Sequence, residues 1–185
     1  MGVTRLNILF FGAENSGKSA LLRRIVTNKF PSRKEPTVGI DFCTWTLPLD
    51  NSIPTTMAKS PITLQFFDLG GNDAYKEVRL EFYKSDAQIH AALLCFDASN
   101  RESFESIDVW YEEARSGGLA ADSIDVTLCA CQTDQQPRIV TSDEGREWAE
   151  KRSIAYYETS ASIGIGHKEI ISHLISTGLE KCSQR

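Results

Sequence analysis

The stretch Gly12-Ala-Glu-Asn-Ser-Gly17-Lys18-Ser19 constrains this chain more than any other. It follows an apolar run, Leu6 to Phe11, and leads into Ser19 to Val26, where Leu21, Leu22, Ile25 and Val26 recur at helical spacing. Strand, glycine-bracketed polar loop and helix, in that order, form a device rather than a chance composition. The glycines let successive backbone N–H groups turn onto one point, and the helix adds the positive end of its dipole. The spacing fits GxxxxGK[ST], a phosphate-binding loop. Residues Glu14, Asn15, Ser16, Gly17 and Ala20 are expected to line the cradle. Lys18 is expected to neutralise the outer phosphates and the Ser19 hydroxyl to ligate magnesium.

The rest of the chain extends the same alternation. Phe42 to Leu49 and Ile62 to Phe67 alternate as strands do, so Asp50 to Pro61 between them reads as a long hairpin connection with a flexible tip. Ile89 to Phe96 and Asp125 to Cys131 are nearly continuous apolar runs, the mark of parallel strands buried on both faces. Ala155 to Thr159 is a shorter one. Helices are predicted around Ala74 to Tyr83, Ser103 to Arg115, Ser142 to Lys151 and Lys168 to Lys181. The pattern predicts an α/β fold: a doubly wound, mostly parallel sheet of about six strands with flanking helices. Ligands of such sheets bind beyond the carboxyl ends of the strands. With 185 residues the chain is expected to form one domain, 1–185.

Charge and cysteine content narrow the partners. A formal net charge of −5 provides no basic footprint, which argues against nucleic acid. The five cysteines are odd in number and mostly sit in apolar runs, as reduced core thiols of a cytoplasmic protein do. Cys129-Ala-Cys131 lacks the two-residue gap of common zinc pairs, so these read as structural thiols. There is no signal peptide or membrane-length apolar run. Gly2 lacks the hydroxyl residue that a myristoylation signal needs at position 6, where Leu6 stands, and Ser183, Gln184 and Arg185 after Cys182 do not suit prenylation. No strong membrane anchor is expected.

Two more elements point at the phosphate loop. The strand Ile62 to Phe67 delivers Asp68, and Asp68-Leu-Gly-Gly71 has the DxxG spacing that sets a carboxylate near magnesium and a glycine N–H near a terminal phosphate. Thr37, in Glu-Pro-Thr-Val-Gly-Ile-Asp-Phe, lies just before a strand and offers a second magnesium oxygen.

Together, GAENSGKS, PTVGIDF, DLGG and Glu-Thr-Ser-Ala resemble the Ras superfamily of small GTPases, and PTVGIDF is most similar to its Rab branch. The stretches EVRLEFYK, ESFESIDVW, DEGREWAE and YYETSA resemble the Rab-like RJL group, whose animal members carry an appended J domain; none is read here. Flagellar-transport Rab-like proteins are a near second, through DAYKE. The resemblance implies a small GTPase fold binding GTP or GDP with Mg2+, the metal held by Ser19, Thr37 and Asp68. Lys18, Thr37, Gly71 and Asn72 are the implied catalytic positions. Phe30 corresponds to the aromatic that covers the guanine edge and Asp134 to the carboxylate that reads it. Ser160 and Ala161 correspond to the loop whose N–H meets the guanine oxygen. Effectors at switch I and switch II, an exchange factor and an activating protein are the implied partners. The implied place is cytoplasmic, peripheral to membranes or flagellar complexes through those partners.

Departures from the family pattern are also legible. Cys131 and Gln132 stand where Asn and Lys are usual, so the amide that braces the base loop is lost and the side chain over the purine is shorter and neutral. Ser162 stands in place of Lys. Asn72 replaces the glutamine that orients the attacking water, and Glu14 brings negative charge toward the γ-phosphate. Guanine selectivity is expected to survive at lower affinity and hydrolysis to be very slow. Two rivals remain, a non-hydrolysing nucleotide-bound scaffold and a P-loop kinase or ATPase. His90 is expected to be a satisfied core histidine, while His167 and His173 face solvent or a partner. Trp45, Trp110 and Trp148 are expected as core or interface anchors. Phe42, Trp45, Phe66 and Tyr83 match positions where Rab proteins meet effectors.

Overall fold

Strand β1 (Thr4–Phe11) lies inside a six-stranded sheet of order β2-β3-β1-β4-β5-β6. The others are β2 (Ile40–Leu47), β3 (Ile62–Leu69), β4 (Ala91–Asp97), β5 (Asp125–Cys131) and β6 (Ala155–Glu158). All neighbours pair in parallel except β2, which runs antiparallel to β3. This is the expected architecture. The computed structural model describes residues 4–33, 35–47, 61–85, 87–119 and 124–183. Gly2, Gln184, Arg185 and nearly all of the hairpin connection lie outside the described residues.

The side-chain period of two explains how the sheet is covered on both faces. Leu6, Ile8 and Phe10 of β1 point to one side, where α1 (Lys18–Thr27) and α6 (His167–Ser183) pack Leu21, Leu22, Ile170, Leu174 and Ile175 against them. Leu9 and Phe11 point to the other. There α4 (Ile107–Gly117) and α5 (Ser142–Glu150) bring Trp110, Ala114, Trp148 and Ala149. Each buried leucine, isoleucine or phenylalanine side chain contributes about 1.5–3 kcal/mol by burial. The remaining helices are α2 (Lys76–Lys84), preceded by a 3-10 turn at Asp73–Tyr75, and the short α3 (Arg101–Glu105).

The helix predicted from Ser103 to Arg115 is divided at Ser106, whose hydroxyl donates to the Ser103 carbonyl at 2.9 Å. Its true start is Arg101, because the Asn100 side chain accepts from the Ser103 N–H and caps it. Helix α5 carries a full capping box, Thr141 with Glu144.

His90 meets its expectation: it is 8% exposed and its Nδ1 accepts the Asn7 N–H at 2.9 Å. The other two histidines differ: one is withdrawn from solvent and the other is half-buried. His167 is buried; His173 Nε2 pairs with the Thr127 hydroxyl at 3.1 Å and its ring lies 5.0 Å from that of Tyr157. The apolar side of helix α6 brings His173 onto the sheet. Trp110 and Trp148 are core anchors, and Trp45 packs half-buried at the rim of the α1 and α6 face. Among the described residues, no helix is long and apolar enough to cross a membrane.

The edge strand β6 is secured by charge. Arg138 donates to both Glu158 oxygens, at 3.1 and 2.7 Å, and the Tyr156 hydroxyl donates at 2.7 Å. The guanidinium holds the Glu158 carboxyl down at about 2, against an ordinary 4.5. A carboxyl depressed in the folded state stabilises above its unfolded value and loses that contribution as pH falls toward the folded one. Wild type is therefore expected to exceed Glu158→Gln by roughly 1 kcal/mol at neutral pH, a figure already reduced for solvent screening. Urea unfolding from pH 7 downward should show the gap closing between about 4.5 and about 2.

Candidate nucleotide site

The carboxyl ends of β1, β3 and β5, with the loops that follow them, enclose a cleft of about 1220 Å³. Its floor is the loop between β1 and α1. Gly12, Asn15 and Gly17 all have positive φ, at 130°, 61° and 94°, which curls the backbone into a concave run of N–H groups. Gly12 is obligatory, because a Cβ there would lie 2.3 Å from the Cys95 carbonyl oxygen. Gly17 precedes α1 and provides no side-chain cap, so the first N–H groups of that helix are left for a ligand. The capping box of α5 shows what an ordinary helix start looks like in the same chain.

Lys18 is buried, with Nζ donating to the carbonyls of Gly12 at 2.9 Å and Ala13 at 2.7 Å and to the Ser16 hydroxyl at 3.3 Å. Burial lowers its pKa despite the opposing charge of Asp68. A phosphate brought beside it would restore the charge balance that the fold leaves open.

The implied metal ligands converge. The Ser19 and Thr37 hydroxyls lie 2.9 Å apart, Ser19 donates to Asp68 Oδ2, and the Thr37 hydroxyl reaches the same oxygen at 3.4 Å. Asp68 is 1% exposed, its Oδ1 has no hydrogen-bond partner, and burial raises its pKa. A buried carboxylate with an unsatisfied oxygen beside two hydroxyls is a hard-oxygen set that fits Mg2+.

Gly71 presses against the floor: a Cβ there would stand 2.3 Å from the Glu14 nitrogen and 2.7 Å from the Gly12 oxygen. Asn72, next to it, has both polar atoms of its side chain engaged. Its amide donates to Glu14 Oε2 at 3.0 Å, and its oxygen caps the 3-10 turn by accepting the Ala74 N–H at 3.0 Å. The two departures are thus bonded to each other across the phosphate loop.

At the far end, Asp134 Oδ1 and Oδ2 accept hydroxyl donations of 2.6 Å from Ser160 and Ser162. Burial works to raise this carboxyl, but the two hydroxyls outweigh it and the net shift is downward. The charge is therefore held available. Ala161, Ser162 and Phe30 line the cleft, Phe30 at 42% exposure. Ser160 does not line it; it is fully buried and its N–H is taken by the Ile165 carbonyl, so it buttresses Asp134 from behind.

The lost brace is replaced one residue along. Gln132 Nε2 donates to the Asn15 carbonyl at 2.9 Å and to Asp97 Oδ2 at 2.6 Å, tying the base loop to the phosphate loop. Sequence reasoning missed Asp97. It also missed Arg24, whose guanidinium donates to the carbonyls of Ala161 at 2.6 Å and Ser162 at 2.9 Å. Arg24 sits on the helical stripe opposite to the one that carries apolar periodicity, so pattern reading passes over it.

The surface beside the cleft corrects another expectation. Phe66 and Tyr83 are 0% and 4% exposed and belong to the core. Phe42 is the exposed ring, and it continues into half-buried Phe67 and Phe82 in a ladder with ring centroids 5.1 Å apart at each step. A one-residue shift along β3 exchanges its inner face for its outer one.

A protein-family model described as Ras family matches residues 7–180. Among curated proteins, DnaJ homolog subfamily C member 27 of Danio rerio is 32% identical over 182 residues, covering 96% of this chain and 63% of that protein. The protein of the same name in Gallus gallus is 31% identical over 184 residues, with the same coverage. DnaJ homolog subfamily C member 27-B of Xenopus laevis is 30% identical over 185. The chain spans 63% of the length of these relatives.

Proposed function

The chain belongs to the Ras family, and from that premise we propose that it is a Rab-like, magnesium-dependent guanine-nucleotide switch with slow or partner-dependent hydrolysis. Membership of the family makes it a small GTP-binding switch; the finer reading rests on its own residues. The convergence of Ser19, Thr37 and Asp68 on one point, with Asp68 Oδ1 unsatisfied, carries it. Those three residues would hold Mg2+, which when bound offsets phosphate charge. Lys18 and the uncapped start of α1 bind the phosphates, Asp134 reads the base, and Gly71 fixes the floor against which the terminal phosphate rests. The segments that carry Thr37 and Gly71 are joined to each other, since the Gly70 N–H donates to the Gly39 carbonyl at 2.7 Å. Loss of the phosphate loosens both segments, which is the switch.

The ladder of exposed Phe42 and half-buried Phe67 and Phe82 is the proposed effector surface, read in one nucleotide state. Exchange and activating proteins act on the same face. The name shared by the relatives supports the RJL grouping. With an acidic chain and no basic footprint, cytoplasmic residence with peripheral attachment through protein partners is the matching proposal.

Mass spectrometry of nucleotide released from freshly purified protein tests base and phosphate state together. GTP or GDP, freed faster when magnesium is chelated and faster again in Ser19→Ala, is the expected result. Recovery of ATP and GTP in equal amounts, or no nucleotide affinity by calorimetry, would overturn it. The Asn72 to Glu14 hydrogen bond favours a second reading, a scaffold that keeps its GTP. Single-turnover hydrolysis with and without candidate activators separates the two: turnover that no activator raises supports the scaffold.

A further inference from the structure

Behind the phosphate loop, three thiols meet. Cys95 on β4 is paired in register with Cys129 on β5, and Cys131 lies two residues further along the same face. Their sulfurs all lie within 4.8 Å of one another, and Cys129 and Cys131 are 3.8 Å apart. Thr159, just after β6, adds a hydroxyl 3.4 Å from Cys129 Sγ and 3.7 Å from Cys131 Sγ. All four residues are at most 2% exposed. Spacing along β5 alone suggested inert core thiols; the third sulfur comes from the neighbouring strand, which no linear motif reveals.

We propose that Cys95, Cys129 and Cys131, with the Thr159 hydroxyl as fourth donor, form a structural zinc site beneath the nucleotide cleft. Tetrahedral zinc, with sulfur at about 2.3 Å and oxygen at about 2.0–2.2 Å, sets sulfurs about 3.8 Å apart and sulfur and oxygen about 3.5 Å apart. The three edges among Cys129, Cys131 and Thr159, at 3.8, 3.4 and 3.7 Å, match those lengths, and Cys95 Sγ lies within 4.8 Å of the other two sulfurs. Thiolates select a soft ion such as zinc over the Mg2+ that suits the oxygens of Ser19, Thr37 and Asp68, so the two sites do not compete for metal. Binding releases the thiol protons, up to three per ion, and leaves one net negative charge on the cluster. The buried Lys18 ammonium interacts electrostatically with both Cys95 and Cys131 and offsets that charge. The site underpins the loop directly: a Cβ on Gly17 would lie 2.8 Å from Cys131 Cβ. Zinc there ties the ends of β4 and β5 to the loop after β6.

Because the sulfurs are buried, the ion enters during folding or local opening, so the test uses the full chain expressed with zinc in the medium and then equilibrated with Zn2+ under a reductant. Elemental analysis is expected to give one zinc per chain. X-ray absorption at the zinc edge should show about three sulfur neighbours at about 2.3 Å and one oxygen. Cys129→Ser should lose the zinc, while Cys43→Ser and Cys182→Ser keep it. A chain without zinc, or zinc surrounded by nitrogen and oxygen alone, overturns the site, as does retention of zinc by a folded Cys129→Ser. Should that variant fail to fold, the wild-type absorption spectrum decides alone. None of these readouts depends on nucleotide, so the outcome stands apart from that of the proposed switch.

Discussion

Asp134→Asn is expected to weaken GTP binding by about 10²–10⁴-fold and to transfer preference to xanthine nucleotides. The carboxylate can accept from both N–H groups on the pairing edge of guanine, and a hydrogen bond to a charged group is worth about 1.5–3 kcal/mol, each 1.4 kcal/mol being tenfold. Xanthine presents a carbonyl where guanine has its amino group, so the amide of Asn can donate where the carboxylate accepted. The surroundings tolerate the change. Ser160 and Ser162 each donate one hydroxyl to Asp134, and a hydroxyl that rotates can accept from the new amide instead. Competition of GTP and XTP for a fluorescent nucleotide measures the ratio. An unchanged ratio would mean that Asp134 does not read the base.

The second large effect is remote from the ligand. Arg79 is fully buried, donates to Glu113 at 2.7 and 3.0 Å, and lies 4.4 Å from the Trp110 ring centre. Its Nη1 also donates to the carbonyls of Gly70 at 3.0 Å and Asn72 at 2.8 Å. One side chain on α2 thus holds the segment that carries Gly71. Arg79→Met leaves the carboxylate of Glu113, only 10% exposed, without its partner and strands two carbonyls. Breaking a buried pair from one side costs about 3–5 kcal/mol, whereas replacing both partners with apolar residues can be neutral. Urea unfolding should therefore show Arg79→Met as severely destabilised and Arg79→Met with Glu113→Leu as substantially recovered. A single-variant loss below about 1 kcal/mol, the scale of an exposed pair, would reject this role.

The contrast between these two residues shows what a linear reading reaches. Asp134 ends an apolar run and sits at a motif spacing, so its place beyond β5 could be read directly. Likewise Lys18, Ser19, Thr37, Asp68 and Gly71 are each fixed by a loop next to a strand or helix end, and the parallel setting of β4 and β5 follows from their apolar runs. Arg79, Arg24 and Asp97 act through carbonyls and side chains far along the chain, and nothing near them in sequence marks the partner. Phe66 and Phe67 were confused because both are apolar and only the register of β3 decides which faces in. The Gln132 tie escaped for another reason: comparison with the usual motif revealed what Cys131 had lost, whereas the replacement came from the next residue.

Lys18 and Arg24 stand on one rigid helix, the first gripping the phosphate loop and the second the carbonyls of Ala161 and Ser162. Their six-residue separation is about 9 Å of helical rise. Helix α1 thereby acts as a ruler. It sets the distance between the anion end and the base end of the cleft, so ligand length is selected by the backbone geometry of about one and two-thirds turns of helix, independently of any single polar contact. A partner that tilts this helix would spoil both ends at once, and release of the ligand would then be a single event instead of two.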